Sequence, residues 1–221
     1  MEPTVLDHPA IADRLARVRA RETPTPVFRR LIEELGVFLA YEATRDLARS
    51  RTTVETPLAV AQVERLAGRP VVAPVLRAGL GLLPGFLCVI DDAVVAHLGF
   101  FRDPESLAAV PYYANLPEQL QSCAVFLLDP MLATGHSAAA ALDVLRERGA
   151  RAATLLCVIA APEGVAHLAE RHPDVRVVTC ALDLRLDRHG YIVPGLGDAG
   201  DRMFGSTSSL PRGYRPMRPT S

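Results

Sequence analysis

Residues 127–142 read LLDPMLATGHSAAAAL, and the order of chemistry along them decides the fold. An apolar run ends at Asp129, a short turn containing Thr134 and Gly135 follows, and an alanine-rich stretch begins near Ser137. This is the pattern of a strand passing through a tight turn into a helix. The turn then lies both at the carboxyl edge of a sheet and at a helix N-terminus, where unpaired N–H groups and the helix dipole favour a phosphate. Thr134 and Ser137 can add hydroxyl donors, and Gly135 lets the backbone approach closely. Asp129 would project towards the sugar of a phosphosugar. By spacing alone, an ordinary βα turn with Ser137 as N-cap fits equally well.

Working outward, similar apolar β-branched runs recur at 70–76 (PVVAPVL), 93–101 (AVVAHLGFF), 123–129 (CAVFLLD), 153–161 (ATLLCVIAA) and 175–183 (VRVVTCALD). Helical stretches such as Ala138 to Arg148 and Gly164 to Arg171 separate them. Runs apolar on both faces, alternating with helices, predict a doubly wound, mainly parallel α/β sheet with helices on both faces. Ligands in such sheets bind outside the carboxyl ends of the strands. Upstream, Phe28, Leu31, Leu35, Phe38, Leu39 and Ala43 recur at steps of three and four, which predicts one long amphipathic helix within Pro24 to Leu47. The Ser-, Pro- and Arg-rich end, STSSLPRGYRPMRPTS over 206–221, predicts a disordered tail. We expect a single domain over 1–205, with N-terminal helices within 10–48, a core over 55–183 and a small hood over 184–205.

Composition narrows the chemistry. The chain has 221 residues, 49% of them hydrophobic, enough for one large core. A formal net charge of -1 gives no electrostatic footprint for general nucleic-acid or membrane binding. All 24 basic residues are Arg, which excludes Schiff-base chemistry and a Walker-type phosphate lysine. Anions must therefore be held by Arg, backbone N–H groups or a metal. Cys88, Cys123, Cys157 and Cys180 are far apart without metal spacing, so we expect reduced, mostly buried thiols and a cytoplasmic location. The first residues lack the apolar core of a signal peptide, and no apolar run reaches the ~18 residues of a membrane span.

With these residues in view, DPMLATGHS at 129–137 resembles the phosphoribosyl diphosphate (PRPP) loop of the type I phosphoribosyltransferases. The pairing of Asp129 with Pro130, where many members carry two adjacent acids, is similar to the uracil-specific branch. The resemblance runs from about His8 to Gly205: HPAIADRLARVR, AYEATRDL, ETPL at 55–58, PVLRAGLGLLPG at 74–85, LGFFRDPE at 98–105, CVIAAPEGV at 157–165 and HGYIVPGLGDAGDRMFG at 189–205 occur in the family's order. It implies the type I fold with a C-terminal base-binding hood. PRPP would be bound by Asp129, Pro130, Met131, Leu132, Ala133, Thr134, Gly135, His136 and Ser137. Arg77 and Arg102 would lie on the diphosphate, and Asp198 would contact PRPP through metal or water. Uracil contacts are implied for Ile192, Gly197, Asp198 and Ala199.

Elementary chemistry supports these roles. Arg77, followed by Ala78, Gly79 and Gly81, can reach an anion while the backbone bends beneath it; Arg102 also ends a strand run, unless it pairs locally with Asp103 or Glu105. A backbone N–H beside a backbone C=O complements uracil O4 and N3–H, whereas cytosine reverses both groups. Each buried mismatch costs about 1–3 kcal/mol. The expected reaction converts uracil and PRPP to UMP and diphosphate, by positioning and charge stabilisation around Arg77, Arg102 and Asp198. Mg²⁺ would be held through substrate oxygens and water rather than by direct side-chain ligation. The resemblance also implies a homodimer or higher homo-oligomer, with GTP as a candidate activator. The rival readings are a purine-type transferase and an RNA-binding regulator of pyrimidine genes that keeps the fold.

Lesser features complete the expectations. His136 stands where the uracil enzymes have Gly, and we expect it to point outward and leave the phosphate site intact. Tyr41, Glu42 and Arg45 should serve packing and subunit contact, and His167 and His172, five apart, should be solvated rather than metal ligands. The stretch PYYAN at 111–115 could join a mobile flap, although nothing in its composition requires one.

Overall fold

The computed structural model describes residues 1–102, 109–118 and 120–206, without the side chains of 102 and 109. The expected pairing of Arg102 with Asp103 or Glu105, and the tail beyond Ser206, lie outside the described residues.

In chain order the elements are β1 (Thr4–Val5), α1 (Pro9–Arg19), α2 (Thr25–Ala43), β2 (Arg49–Glu55), β3 (Val60–Leu66), β4 (Val71–Leu76), a 3-10 turn (Ala78–Gly81) and α3 (Leu83–Val89). Next come β5 (Val94–Val95), β6 (His97–Arg102), β7 (Ala109–Asn115), β8 (Val125–Leu128), β9 (Met131–Leu132), α4 (His136–Glu147) and β10 (Ala153–Ala160). The chain continues through α5 (Pro162–Arg171), β11 (Arg176–Leu182), β12 (Arg185–Leu186), β13 (Ile192–Val193) and α6 (Ala199–Phe204).

The main sheet runs in the order β1-β11-β10-β8-β4-β6-β7, with β5 added to β4 and β9 to β10. Its pairings are parallel except β6 with β7. The expected doubly wound sheet is therefore present, and the period of two inside each strand shows why. Val72, Phe126, Leu128, Leu156 and Val158 join the core with α1, α2 and α3, while Val71, Ala73, Val125, Leu127 and Leu155 join the core with α4 and α5. Each Val, Leu or Phe side chain among them removed from water contributes about 1.5–3 kcal/mol, so both faces must be covered. From β4 the chain goes to β6 on one side, and only later to β8 on the other. The carboxyl ends of β4 and β8 thus flank a topological switch point, the crevice where ligands bind in open α/β sheets.

Helix α2 is the long amphipathic helix, burying Phe28, Leu31, Leu35 and Leu39. It ends at Ala43 rather than Leu47, with the Thr44 N–H and hydroxyl both donating to the Ala40 carbonyl, the hydroxyl at 2.7 Å. At Gly36 and Gly85 the backbones of α2 and α3 nearly touch: a Cβ at Gly85 would stand 2.2 Å from the Glu33 carbonyl oxygen.

Several expectations change. The hairpin β2–β3 half-buries only one short face, Thr52, Val54, Ala61 and Val63, and Leu58 at its tip is 97% exposed. The stretch 111–115 is strand, antiparallel to β6. All four cysteines are free; Cys157 and Cys180 are buried and Cys123 partly so, but Cys88 is exposed because it faces outward on α3. His172 is buried rather than solvated: it closes the end of α5 against α4, 3.2 Å from Asp143 Oδ1, and burial with Arg146 nearby lowers its pKa. His167 is half-buried. No described helix is long and apolar enough to cross a membrane.

Candidate active site

Arg77 follows β4 directly, across a cis peptide bond from Leu76. The 3-10 turn after it lies tight against the end of β8, because Gly79 leaves room: a Cβ there would be 2.3 Å from the Leu128 carbonyl oxygen. A Cβ at Gly81 would be 2.2 Å from Met203 Sδ, so the same turn carries α6 on its other side. The Arg77 side chain is 60% exposed, and its guanidinium lies over α6. Nη2 is 3.7 Å from Asp201 Oδ1, Nη1 donates to Ser206 Oγ at 3.2 Å, and Cζ is 5.8 Å from the Phe204 ring centre. Solvent screens such contacts, so an incoming anion can displace them at small cost.

The turn after β8 begins tightly paired. The Asp129 N–H bonds Leu156, the N–H groups of Val158 and Ile159 bond the Pro130 carbonyl, and Met131 and Leu132 form the short strand β9 beside β10. Pro130 and Leu132 are buried and both carbonyls are used, the second by the Ala161 N–H. The exposed part starts later. Gly135 has φ 82 and is itself the N-cap of α4, with no side-chain cap; the expected alternative, a Ser137 cap, does not form. His136 and Ser137 are exposed in the first helical turn, and Ala133 and Thr134 are half-buried beside it. First-turn N–H groups have no partner within the helix, so this end is chemically suited to an anion. The loop is braced by α5: a Cβ at Gly164 would be 2.4 Å from the Ala133 carbonyl oxygen.

Asp129 is half-buried between these loops. Desolvation pushes its carboxyl up to about 7, although the Met131 N–H bonds it and opposes the shift. A group with that value changes charge readily on meeting hydroxyls or a cation.

The third wall is β12, β13 and α6. The chain turns at a cis Val193–Pro194 bond, passes Gly195 (φ 64) and Gly197 (φ 78), and enters α6, with Asp198 as N-cap accepting from the Asp201 N–H at 2.8 Å. Gly197 and Asp198 are exposed; Ile192 and Ala199 are buried, so their contribution to a ligand must come from backbone. The wall reaches both other loops. A Cβ at Gly190 would be 3.6 Å from Thr134 Cγ2, and one at Gly200 would be 4.0 Å from Arg77 Nη2.

Arg102 ends β6, next to β4 in the sheet. His136 is exposed as expected, and its ring packs against that of His167, with centroids 4.6 Å apart and the planes tilted by 39°. Tyr41, Glu42 and Arg45 line a separate groove of about 630 Å³ with Thr4, Val5 and Phe38, away from the strand-end loops. Among the described residues no three His, Cys, Asp or Glu side chains form a metal cluster. Sequence reasoning missed Arg19, Asp183 and Arg202, which anchor the third wall to α1; their partners lie up to 184 residues away, and no local signal pairs them.

The family model described as uracil phosphoribosyltransferase matches residues 5–206. A uracil phosphoribosyltransferase of Thermus thermophilus is 50% identical over 207 residues, covering 93% of this chain and 100% of that protein. One from Paracoccus denitrificans is 49% identical over 204 residues, 92% of this chain and 97% of its own. A solved Aquifex aeolicus protein superposes with a TM-score of 0.89 at 36% identity, over 94% of this chain and 100% of that one. A Bacillus anthracis hypoxanthine-guanine phosphoribosyltransferase, at 11% identity and TM-score 0.51 over 72% and 82% of the chains, shares the fold alone.

Proposed function

The chain belongs to the uracil phosphoribosyltransferase family, and from that premise we propose how its three strand-end loops divide the work. The protein is a phosphoribosyltransferase acting on uracil. The observation that carries the division of roles is the meeting of the Arg77 turn, the 129–137 turn and the 192–199 loop at one switch point.

The 5-phosphate sits on the N–H groups of Thr134 to Ser137 at the start of α4, and Asp129 accepts from the ribose hydroxyls. Pro130, Met131 and Leu132 act as the buried root of this turn. Arg77 leaves Asp201 and Ser206 for the diphosphate, and Arg102 approaches it from β6. As the C1–diphosphate bond breaks, the anomeric carbon gains oxocarbenium character and uracil N1 attacks the opposite face, giving UMP and diphosphate. Fixed N–H groups and guanidinium charge stabilise the leaving group without a covalent nucleophile. The exposed backbone at Gly197 and Asp198, with main-chain groups of Ile192 and Ala199, reads uracil O4 and N3–H.

Mg²⁺ would be held through substrate oxygens and water, with Asp198 contacting PRPP through the metal or water; when bound it supplies charge to the leaving diphosphate. Asp198 is also the nearest candidate for a base. The same proposal includes one domain over 1–205 with 184–205 as hood, a cytoplasmic location, a homo-oligomer joined along the groove by Tyr41, and activation by GTP.

The test is UMP formation from PRPP with uracil, cytosine, hypoxanthine and adenine, each with and without Mg²⁺, and repeated with GTP. Turnover of uracil alone and only with Mg²⁺ is expected; turnover of hypoxanthine or adenine in preference would overturn the assignment of the base loop.

A further inference from the structure

We infer that the C-terminal end of α1, Val18 to Ala20, sets the position of the base loop, with Arg19, Asp183 and Arg202 as positioning residues for uracil. The inference rests on the reading that residues 192–199 receive the base.

Between β13 and α6 the loop has no ladder of its own, so something else must hold its backbone. Two guanidinium groups do. Arg19 forms a fork to Asp183, Nη1 to Oδ2 at 2.8 Å and Nη2 to Oδ1 at 2.5 Å. The same Nη1 donates to the Gly195 carbonyl at 2.8 Å, and the Gly195 N–H donates to Asp183 Oδ2 at 2.9 Å. Both main-chain groups of Gly195 are thereby held by one ion pair, whose carboxylate is 4% exposed. Asp183 itself follows the core strand β11, so the fork ties the loop to the sheet as well as to α1.

The next residue is held separately. Arg202 Nη1 donates to the Leu196 carbonyl and to the Val18 carbonyl, each at 2.7 Å, and Nη2 donates to the Ala20 carbonyl at 2.6 Å. Its guanidinium lies 4.4 Å from the Phe28 ring centre. The arrangement follows from helix chemistry: the last carbonyls of α1 lack partners within the helix, and the negative end of its dipole favours a cation. A planar fork with several donors suits three converging carbonyls, and a lysine ammonium cannot reproduce that geometry.

Gly195 and Leu196 are thus fixed immediately before Gly197 and Asp198, the exposed positions assigned to the base. Reading uracil by a main-chain N–H and C=O needs those groups aligned to hydrogen-bond tolerance. Loosening the anchors should blur that alignment while leaving the 129–137 turn and Arg77 in place, so uracil binding suffers and PRPP binding does not.

The test uses the full chain carrying Arg19→Lys, Asp183→Asn or Arg202→Lys, with steady-state kinetics in both substrates. Wild type must first make UMP; an inactive wild type overturns the base-site reading and this inference with it. With an active wild type, each variant should raise KM for uracil by about tenfold or more, with kcat and KM for PRPP within about twofold, and should reduce the preference for uracil over cytosine. Unchanged KM for uracil, or equal rises in both KM values, overturns the inference alone. If one variant fails to fold, another acting at the other anchor decides; if none folds, the network serves the whole fold and the inference is overturned.

Discussion

Gly135 carries two demands at once, a left-handed φ of 82 and the space for a Cβ that would meet Gly164 at 3.0 Å. Gly135→Ala should therefore lower stability by about 1–3 kcal/mol and raise KM for PRPP, read by denaturant unfolding and steady-state kinetics. Its neighbour His136 is exposed, and in the proposed site only its main-chain N–H meets the phosphate. His136→Gly should leave turnover within about tenfold, a barrier change of about 1.4 kcal/mol; a larger loss would give the imidazole an active role. Asp129 supplies the pH dependence. Burial pushes its carboxyl up to about 7, and ribose hydroxyls favour the ionised form, so PRPP should bind more tightly as pH rises through that value. A KM for PRPP that is flat across this range, or that is unaltered by Asp129→Asn, contradicts the ribose contact. These residues were legible in the sequence as one candidate site because all three lie within one short turn. Burial of Pro130 and Leu132 was not, since it depends on β10 pairing with β9.

At the scale of elements, the position of the Arg77 turn depends on how closely α3 can approach α2. Gly85 allows that approach, because any Cβ would strike the Glu33 carbonyl. Gly85→Ala should cost about 1–3 kcal/mol of stability, shift α3 outward and weaken PRPP more than uracil; a variant as stable as wild type would show that the helices have room to part. The parallel strands and α2 could be read from periodicity, since their burial patterns are strong and local. The hairpin β2–β3 could not, because its inward face, Thr52, Val54, Ala61 and Val63, is short, mixed and only half-buried, and β7 was obscured because Tyr112 and Tyr113 on it are both exposed.

For the whole molecule, the raised pKa of Asp129 is also a statement about stability. The folded state keeps its proton up to about 7 while the unfolded chain releases it near 3.8, so the ligand-free fold gains from this group below pH 4 and loses that gain as pH rises through 7. Urea midpoints should fall for wild type relative to Asp129→Asn between about pH 5 and about pH 7.5, and parallel profiles would rule the effect out. What the sequence by itself determined was the sheet and the family's loops, because strands, turns and helix starts are written in contiguous residues. Only the tertiary structure decided how those loops are held together. Arg19 and Asp183 are 164 residues apart, and Arg202 reaches back to the end of α1. Side chains that find partners across such distances obey no spacing rule, and they meet only when the packed sheet and helices bring them there.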